Sequence, residues 1–197
     1  MLTVLTAAAS HRLTTPDAVR QHLSIGEEVA DAYLGELIDR ASAAVGRFCD
    51  RAFALETVRE VLRQGGGDEL QLTRWPVLAV QSVAAPDPLA ADGYEMDGAK
   101  GLLLRLGGWW RGRVEVVYQA GYVLPGQNGR TLPEDVERAA LALVAADFHG
   151  RGRDPSIRSE TVEGVGSSSY TVGGLGDAGL WADVAGLLWL HRATVMA

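Results

Sequence analysis

The sequence has very few cysteine and lysine residues, which are common in catalytic sites and in nucleic-acid-binding surfaces. Cys49 is its only cysteine, so no disulfide can form within the chain. Because Cys49 falls on the apolar face of a predicted helix, we expect a buried, inert thiol and a reducing compartment. Lys100 is the only lysine, and the formal net charge is −7. Tight binding to nucleic acid relies on cations that displace counterions from phosphates, so this balance argues against a protein whose main task is to hold DNA.

Long apolar runs and a basic amino-terminal segment are also missing. No stretch reaches the roughly 18 apolar residues that a membrane-spanning helix needs. The start, MLTVLTAAASHRL, lacks the positively charged region that opens a secretory signal peptide. We therefore expect a protein that is made in soluble form in the cytoplasm and has no membrane partner.

Motifs for catalysis, cofactors and metals are absent or out of context. Gly174, Gly176 and Gly179 match the G-x-G-x-x-G pattern of dinucleotide sites. The segment before them is too polar for a central parallel strand, and too few residues follow for the second strand and the ribose-binding acid. The four histidines are scattered, with no neighbouring ligand at metal spacing. The sequence therefore predicts no enzyme, and no catalytic, cofactor-binding or metal residues.

Three helices and a β-region can be read from the pattern of apolar residues. Thr15-Pro16-Asp17 predicts the start of a short helix to about Leu23. Apolar residues at three- and four-residue intervals predict an amphipathic helix from Glu27 to Phe48. Leu132-Pro133-Glu134-Asp135 opens a third helix that runs to about His149. Between the second and third helices lie the strand-like segments ETVREVLR, ELQLTRWPVLAVQSV, GYEMD, GLLLRL and RVEVVYQAGY.

These elements predict an α+β fold that is mainly α. We expect a small helical bundle with a small antiparallel β-region inserted at about residues 54–122, followed by an extended C-terminal strand and helix. The predicted domains are a core of residues 1–160 and a C-terminal extension of residues 161–197.

The third helix contains a stretch, residues 139–146, without a polar side chain on any face. A helix that is apolar all round is normally enclosed on all sides. Either a neighbouring subunit covers it, which would make Ala140, Leu143 and Val144 interface residues, or the alanines are partly exposed at little cost.

The segment after this helix raises the same question. Arg151, Arg153 and Arg158 form the one basic cluster of an acidic chain, either as a solvated loop or as a contact to DNA or to acids of another subunit. The tail either folds back on its own domain or reaches a partner, as tryptophan-rich anchors do. Its candidate contact residues are Trp181, Leu187, Leu188 and Trp189.

The order of these segments resembles a known family. A long N-terminal helix is followed by LQLTRWPVLAVQSV, YEMDGAKGLLL, VEVVYQAGY and LPEDVERAALALVAADFHGR. Together they resemble the head-to-tail connector, or adaptor, proteins of tailed phages and gene transfer agents. The resemblance covers about residues 25–160. The loop VLPGQNGRT and the tail depart from it.

The resemblance implies a structural virion protein of the particle neck. Such proteins form a ring, usually of twelve subunits, between the portal protein and the stopper or tail-completion protein, and DNA passes through the ring without tight or specific binding. The C-terminal strand is the polar segment from Ser167 to Val172. On this basis we expect this strand, with Ser168, Tyr170 and Val172, to pair with another subunit or with the portal. The alternatives are another neck or packaging component, such as a tail-completion protein or small terminase subunit, and an enzyme.

Overall fold

The structure is a computed structural model that describes residues 1–87, 89, 92–151, 159–162, 166–169 and 178–193. Two units can be distinguished within it. The sheet unit comprises Met1–His11, Ala52–Leu124 and Asn128–Thr131. The helical unit comprises Arg12–Arg51, Pro125–Gln127 and Leu132–Ala197.

The helical unit contains α1 (Pro16–Leu23), α2 (Asp31–Cys49), α3 (Glu134–Gly150) and α4 (Ala178–Leu188), which continues into a 3₁₀ helix, Trp189–His191. Helix α1 begins where the sequence predicts, because the Thr15 hydroxyl accepts a hydrogen bond from the Ala18 backbone N–H at 3.2 Å. Helix α2 begins later than predicted. The Glu28 carboxylate accepts from the Gly26 N–H at 3.0 Å, and this local bond holds the preceding residues in a turn.

Apolar side chains of α2, α3 and α4 form the core of the helical unit. Helix α3 packs against both α2 and α4. The buried members are Leu34, Leu37, Ile38, Ala41 and Val45 of α2, Val136, Ala139, Ala140, Leu143 and Val144 of α3, and Val184 and Leu188 of α4. Two buried hydrogen bonds fix the incoming chain to this core: the Leu13 N–H donates to Ser42 Oγ at 3.0 Å, and the Thr14 hydroxyl donates to Glu137 Oε1 at 2.9 Å.

The sheet unit contains two antiparallel sheets. The larger has the order β1 (Leu2–Thr6), β2 (Glu56–Gln64), β7 (Gly112–Ala120), β4 (Val77–Ala84). The smaller has the order β3 (Glu69–Gln71), β6 (Leu102–Arg105), β5 (Tyr94–Asp97). Residues of both sheets bury one apolar core, which includes Val58, Leu70, Leu103, Trp110 and Val116.

Strand β7 confirms the clearest of the predicted strands. Val114, Val116, Tyr118 and Ala120 alternate into the core, as the period of two requires. Strand β2 pairs along its whole length, from Glu56 opposite Ala120 to Gln64 opposite Gly112. Gly121 follows with φ +116°, and a Cβ there would lie 2.2 Å from the Ala54 carbonyl oxygen. Only glycine fits this turn without moving the backbone.

The prediction of a mainly α fold is wrong. Among the described residues there are nine strands and four α-helices, so the fold is mixed, and the β-region is a unit with its own core rather than a small insertion. The sequence reading missed β1, because its outward-facing side chains are as apolar as its others and show no alternation. The strand forms because its backbone pairs with β2, with Leu2 opposite Glu60, and this pairing leaves no signal in the local sequence. The division at residue 160 stays a prediction.

Candidate interaction surfaces

Four of the predicted interface residues belong to the chain's own core. Ala140, Leu143 and Leu188 have 0% of their surface exposed and Val144 has 1% within a single copy. Helix α4 supplies the cover for α3 that the sequence reading sought in a neighbouring subunit. These side chains therefore have no free surface to offer to another copy, and we correct their assignment from interface to core.

Polar contacts hold the end of α4 to its own unit. His191 Nε2 lies 2.7 Å from Asp135 Oδ2 in the first turn of α3. The Ala193 N–H donates to the Cys49 carbonyl at 2.8 Å, and Arg51 donates to the His191 carbonyl at 3.5 Å. Of the two alternatives for the tail, residues 178–193 show the first, a segment folded on its own helices.

The other predicted tail residues are partly or largely exposed. Trp181 is half-buried, with its ring centroid 6.4 Å from that of Phe48, and Leu187 is half-buried. Trp189 is 64% exposed and the following Leu190 is 89% exposed. The Arg192 guanidinium lies 5.4 Å from the Trp189 ring centroid, within reach of a cation–π contact. Trp189 and Leu190 form an exposed apolar pair beside a cation.

The described part of the predicted polar strand, residues 167–169, pairs within the chain. Strand β8 (Ser159–Val162) and strand β9 (Gly166–Ser169) form an antiparallel hairpin in which Ser168 lies opposite Glu160. Tyr170 and Val172 lie outside the described residues. Pairing of this segment with another subunit or with the portal stays a prediction.

Only the first member of the predicted arginine cluster is described. Arg151 follows α3 and is exposed, with its guanidinium 4.0 Å from the Phe148 ring centroid and 5.7 Å from that of Tyr33. Arg153 and Arg158 lie outside the described residues. A contact of the cluster with DNA or with a neighbouring subunit stays a prediction.

A groove of about 560 Å³ lies between α2 and Trp181 of α4, and it was not predicted from the sequence. Its lining residues are Arg40, Ala43, Ala44, Arg47, Phe48 and Trp181. The two alanines lie on the solvent side of α2, where a soluble helix usually carries polar side chains. That departure is the sequence signal that could have revealed the groove.

In the sheet unit, the two adjacent tryptophans lie in opposite environments. Trp110 is fully buried, and its indole N–H donates to the Leu103 carbonyl at 3.1 Å. Trp109 is 58% exposed, with the Arg111 guanidinium 5.2 Å from its ring centroid. Leu106, at the same turn, is 46% exposed. The turn is therefore a second exposed apolar surface that is flanked by arginines.

A buried polar network lies on the inner side of β2. Glu60 is 2% exposed and accepts hydrogen bonds from the Tyr118 hydroxyl at 2.6 Å, from the Thr73 N–H at 3.0 Å and from the Thr73 hydroxyl. Glu56 is 5% exposed and its carboxylate pairs with the Arg74 guanidinium, while the Arg74 backbone N–H donates to the Tyr118 hydroxyl oxygen at 3.3 Å. Burial, and then the carboxylate of Glu60, raise the pKa of Tyr118.

These donors and acceptors satisfy one another, so the network braces the sheet unit. Burial also raises the pKa of the Cys49 thiol to about 11, which disfavours the reactive thiolate. Among the described residues no group of histidine, cysteine, aspartate or glutamate side chains is arranged to hold a metal ion. None of the helices in that part of the chain is long and apolar enough to span a membrane.

Comparison with known proteins defines the class. The family model for head completion proteins matches residues 12–168, most of the chain. The chain belongs to the head completion protein family.

Solved structures add the fold. A chain in the neck of an empty gene transfer agent particle, computed with C6 symmetry, is 23% identical with a TM-score of 0.60. A chain in the neck of a native particle, computed with C12 symmetry, is 24% identical with a TM-score of 0.60. A chain in the virion of a native gene transfer agent is 22% identical with the same TM-score. Each match covers 100% of this chain and 97% of the other. No curated protein matches the sequence.

Proposed function

We propose that this protein is a structural component of the neck of a phage or phage-like particle. In this proposal it is a head-to-tail connector that forms a ring below the portal, extends the DNA channel and gives the stopper or tail a surface on which to dock. The observation that carries the proposal is the similarity of fold, over the whole chain, to chains in gene transfer agent necks.

A ring of twelve is the proposed assembly. The neck of the native gene transfer agent particle was computed with C12 symmetry, and a cyclic ring needs only one kind of subunit contact, repeated until it closes. The net charge of −7 agrees with a channel through which DNA slides, because a strongly basic lining would retain phosphate groups. The satisfied polar network and the buried Cys49 thiol agree with a structural rather than a catalytic role.

Electron microscopy of particles from a producing strain tests the position of the protein. Particles made with and without its gene would be compared after reconstruction of the neck. We expect a ring of this fold directly below the portal, and heads without tails when the gene is deleted. A complete neck that lacks this chain would overturn the proposal. Density at the tail side of another connector would instead support the tail-completion alternative.

A further inference from the structure

The groove on α2 combines an apolar floor with a cationic rim. Ala43, Ala44, Phe48 and Trp181 supply apolar surface, and Arg40 and Arg47 stand beside it. A third cation lies close by, because the Arg192 guanidinium is 5.2 Å from the Phe48 ring centroid. A surface of this kind fits an apolar side chain that carries carboxylates next to it.

One arginine of the rim is available to pair with an acidic group of another molecule. Arg40 lies 3.4 Å from Asp147, so part of its charge is already balanced. The Arg47 side chain is exposed, and its guanidinium makes no hydrogen bond or ion pair with any residue that the structure describes. An unpaired arginine beside an apolar groove stands out in a chain whose net charge is −7.

The same chain carries one segment with the complementary chemistry. Nine large apolar side chains are exposed among the described residues. Of these nine, only Met96 has acidic neighbours on both sides in the sequence, Glu95 and Asp97. Leu106, Trp109 and Leu190 each have an arginine within two residues, and the cationic rim would repel these arginines. The others, Met1, Val4, Leu5, Leu78 and Trp189, have no acid within two residues.

Met96 lies where another molecule can reach it. It is 41% exposed on β5, the outer strand in the order β3-β6-β5, so one side of β5 pairs with no described strand. The Glu95 side chain is exposed and its carboxylate has no partner among the described residues, whereas the Asp97 carboxylate is 3.4 Å from Lys100. Successive side chains leave opposite faces of a strand, so only a partner that meets the free edge of β5, rather than one face of its sheet, can contact Met96 and Glu95 at the same time.

We propose that the α2 groove of one copy receives the β5 edge of a second copy, with Met96 on the apolar floor and Glu95 beside Arg47. The proposal rests on the proposed ring and names its contact. The groove and the edge are different surfaces, so the contact is heterologous. Repetition of such a contact yields a ring when the rotation closes.

Cysteine cross-linking in assembled particles tests the contact. A variant with Ala43→Cys and Met96→Cys would replace the natural chain, and a short bismaleimide would join the two positions. Cys49 can stay, because it is buried and its thiol is unreactive. If the contact exists, denaturing gels show a ladder from dimers up to the full ring. Rings that give no cross-link, or only a cross-link within one chain, would overturn the contact and leave the ring proposal standing.

Two controls separate this contact from general crowding in the neck. Ala43→Cys combined with Leu78→Cys places the second thiol on β4, at an exposed apolar residue without acidic neighbours, and should give no ladder. In the cross-linking variant, Arg47→Glu or Glu95→Arg alone should lower the ladder yield several-fold, and the two together should restore it. A ladder yield that stays the same in both charge-reversal variants would contradict the pairing of Glu95 with Arg47. A neck without the chain would overturn the proposed function itself.

Discussion

The buried network of the sheet unit gives the most direct test of the described packing. Tyr118→Phe removes one hydroxyl and keeps the ring that fills the core. The hydroxyl donates to Glu60 at 2.6 Å and accepts from the Arg74 N–H at 3.3 Å, and Tyr118 is fully buried. Its loss leaves Glu60 with the two donors of Thr73 alone.

The expected loss of stability follows from these contacts. A hydrogen bond to a charged group contributes about 1.5–3 kcal/mol, and no water can replace the lost donor at a buried site without rearrangement. We therefore expect Tyr118→Phe to lower the free energy of unfolding by about 1.5–3 kcal/mol. Urea unfolding followed by circular dichroism measures this change as a lower midpoint at constant slope.

Tyr94→Phe is the matched control. Tyr94 is half-buried in the same unit, and its hydroxyl makes no hydrogen bond with any described residue, so the change should stay within about 0.5 kcal/mol. A double-mutant cycle with Glu60→Gln should show that Tyr118 and Glu60 couple by about 0.5–3 kcal/mol. Equal effects of the two tyrosine variants, or a cycle without coupling, would refute the network.

Two further predictions concern the buried thiol and the tryptophan pair. Burial raises the pKa of Cys49 from 9.0 to about 11, so its contribution to stability is complete below pH 9 and is lost as the pH rises toward 11. Urea unfolding between pH 8 and 11 should show up to about 1.4 kcal/mol per pH unit of extra loss in the natural chain compared with Cys49→Ala, and parallel curves would contradict this. Trp110→Ala should cost about 3–5 kcal/mol, because it empties a fully buried site. Trp109→Ala should change stability by no more than about 0.5 kcal/mol, and equal effects in urea unfolding would contradict the two environments.

Local signals were enough to predict the elements that carry their own pattern. The Thr15 cap, the spacing of Leu37, Ala41 and Val45 on α2, and the alternation of Val114 and Val116 on β7 each report on their own segment. In these cases the burial of a side chain follows from its position in one period. The prediction needs no knowledge of what lies opposite.

The features that the sequence reading missed depend on residues far apart in the chain. Glu56 and Glu60 share the inward face of β2 with Val58, and a carboxylate there is stable only because Arg74, Thr73 and Tyr118 come together around it. No local pattern announces such partners. The packing of α4 against α3 likewise depends on tertiary structure. Because the sequence alone does not show this packing, side chains of α3 were assigned to a subunit interface.

The correction to α3 reverses the expected result of a deletion. If the tail served only as an anchor for a partner, the second alternative of the sequence analysis, removal of residues 177–197 would leave the domain folded and stop it from joining portals. In the structure, α4 places Val184 and Leu188 in the core, with 1% and 0% of their surfaces exposed. Each buried side chain of this size contributes about 1.5–3 kcal/mol, against a total stability of about 5–15 kcal/mol for a typical protein.

Deletion of residues 177–197 should therefore destabilise the helical unit before any question of assembly arises, and α3 would lose the partner that covers it. Leu188→Ala should lower the free energy of unfolding by about 2–5 kcal/mol, while Trp189→Ala, at a position that is 64% exposed, should leave it within about 0.5 kcal/mol. Urea unfolding of the three proteins measures both effects. If the truncated chain unfolds at the same urea concentration as the full chain, α4 is not part of the core, and α3 needs its cover from another copy after all.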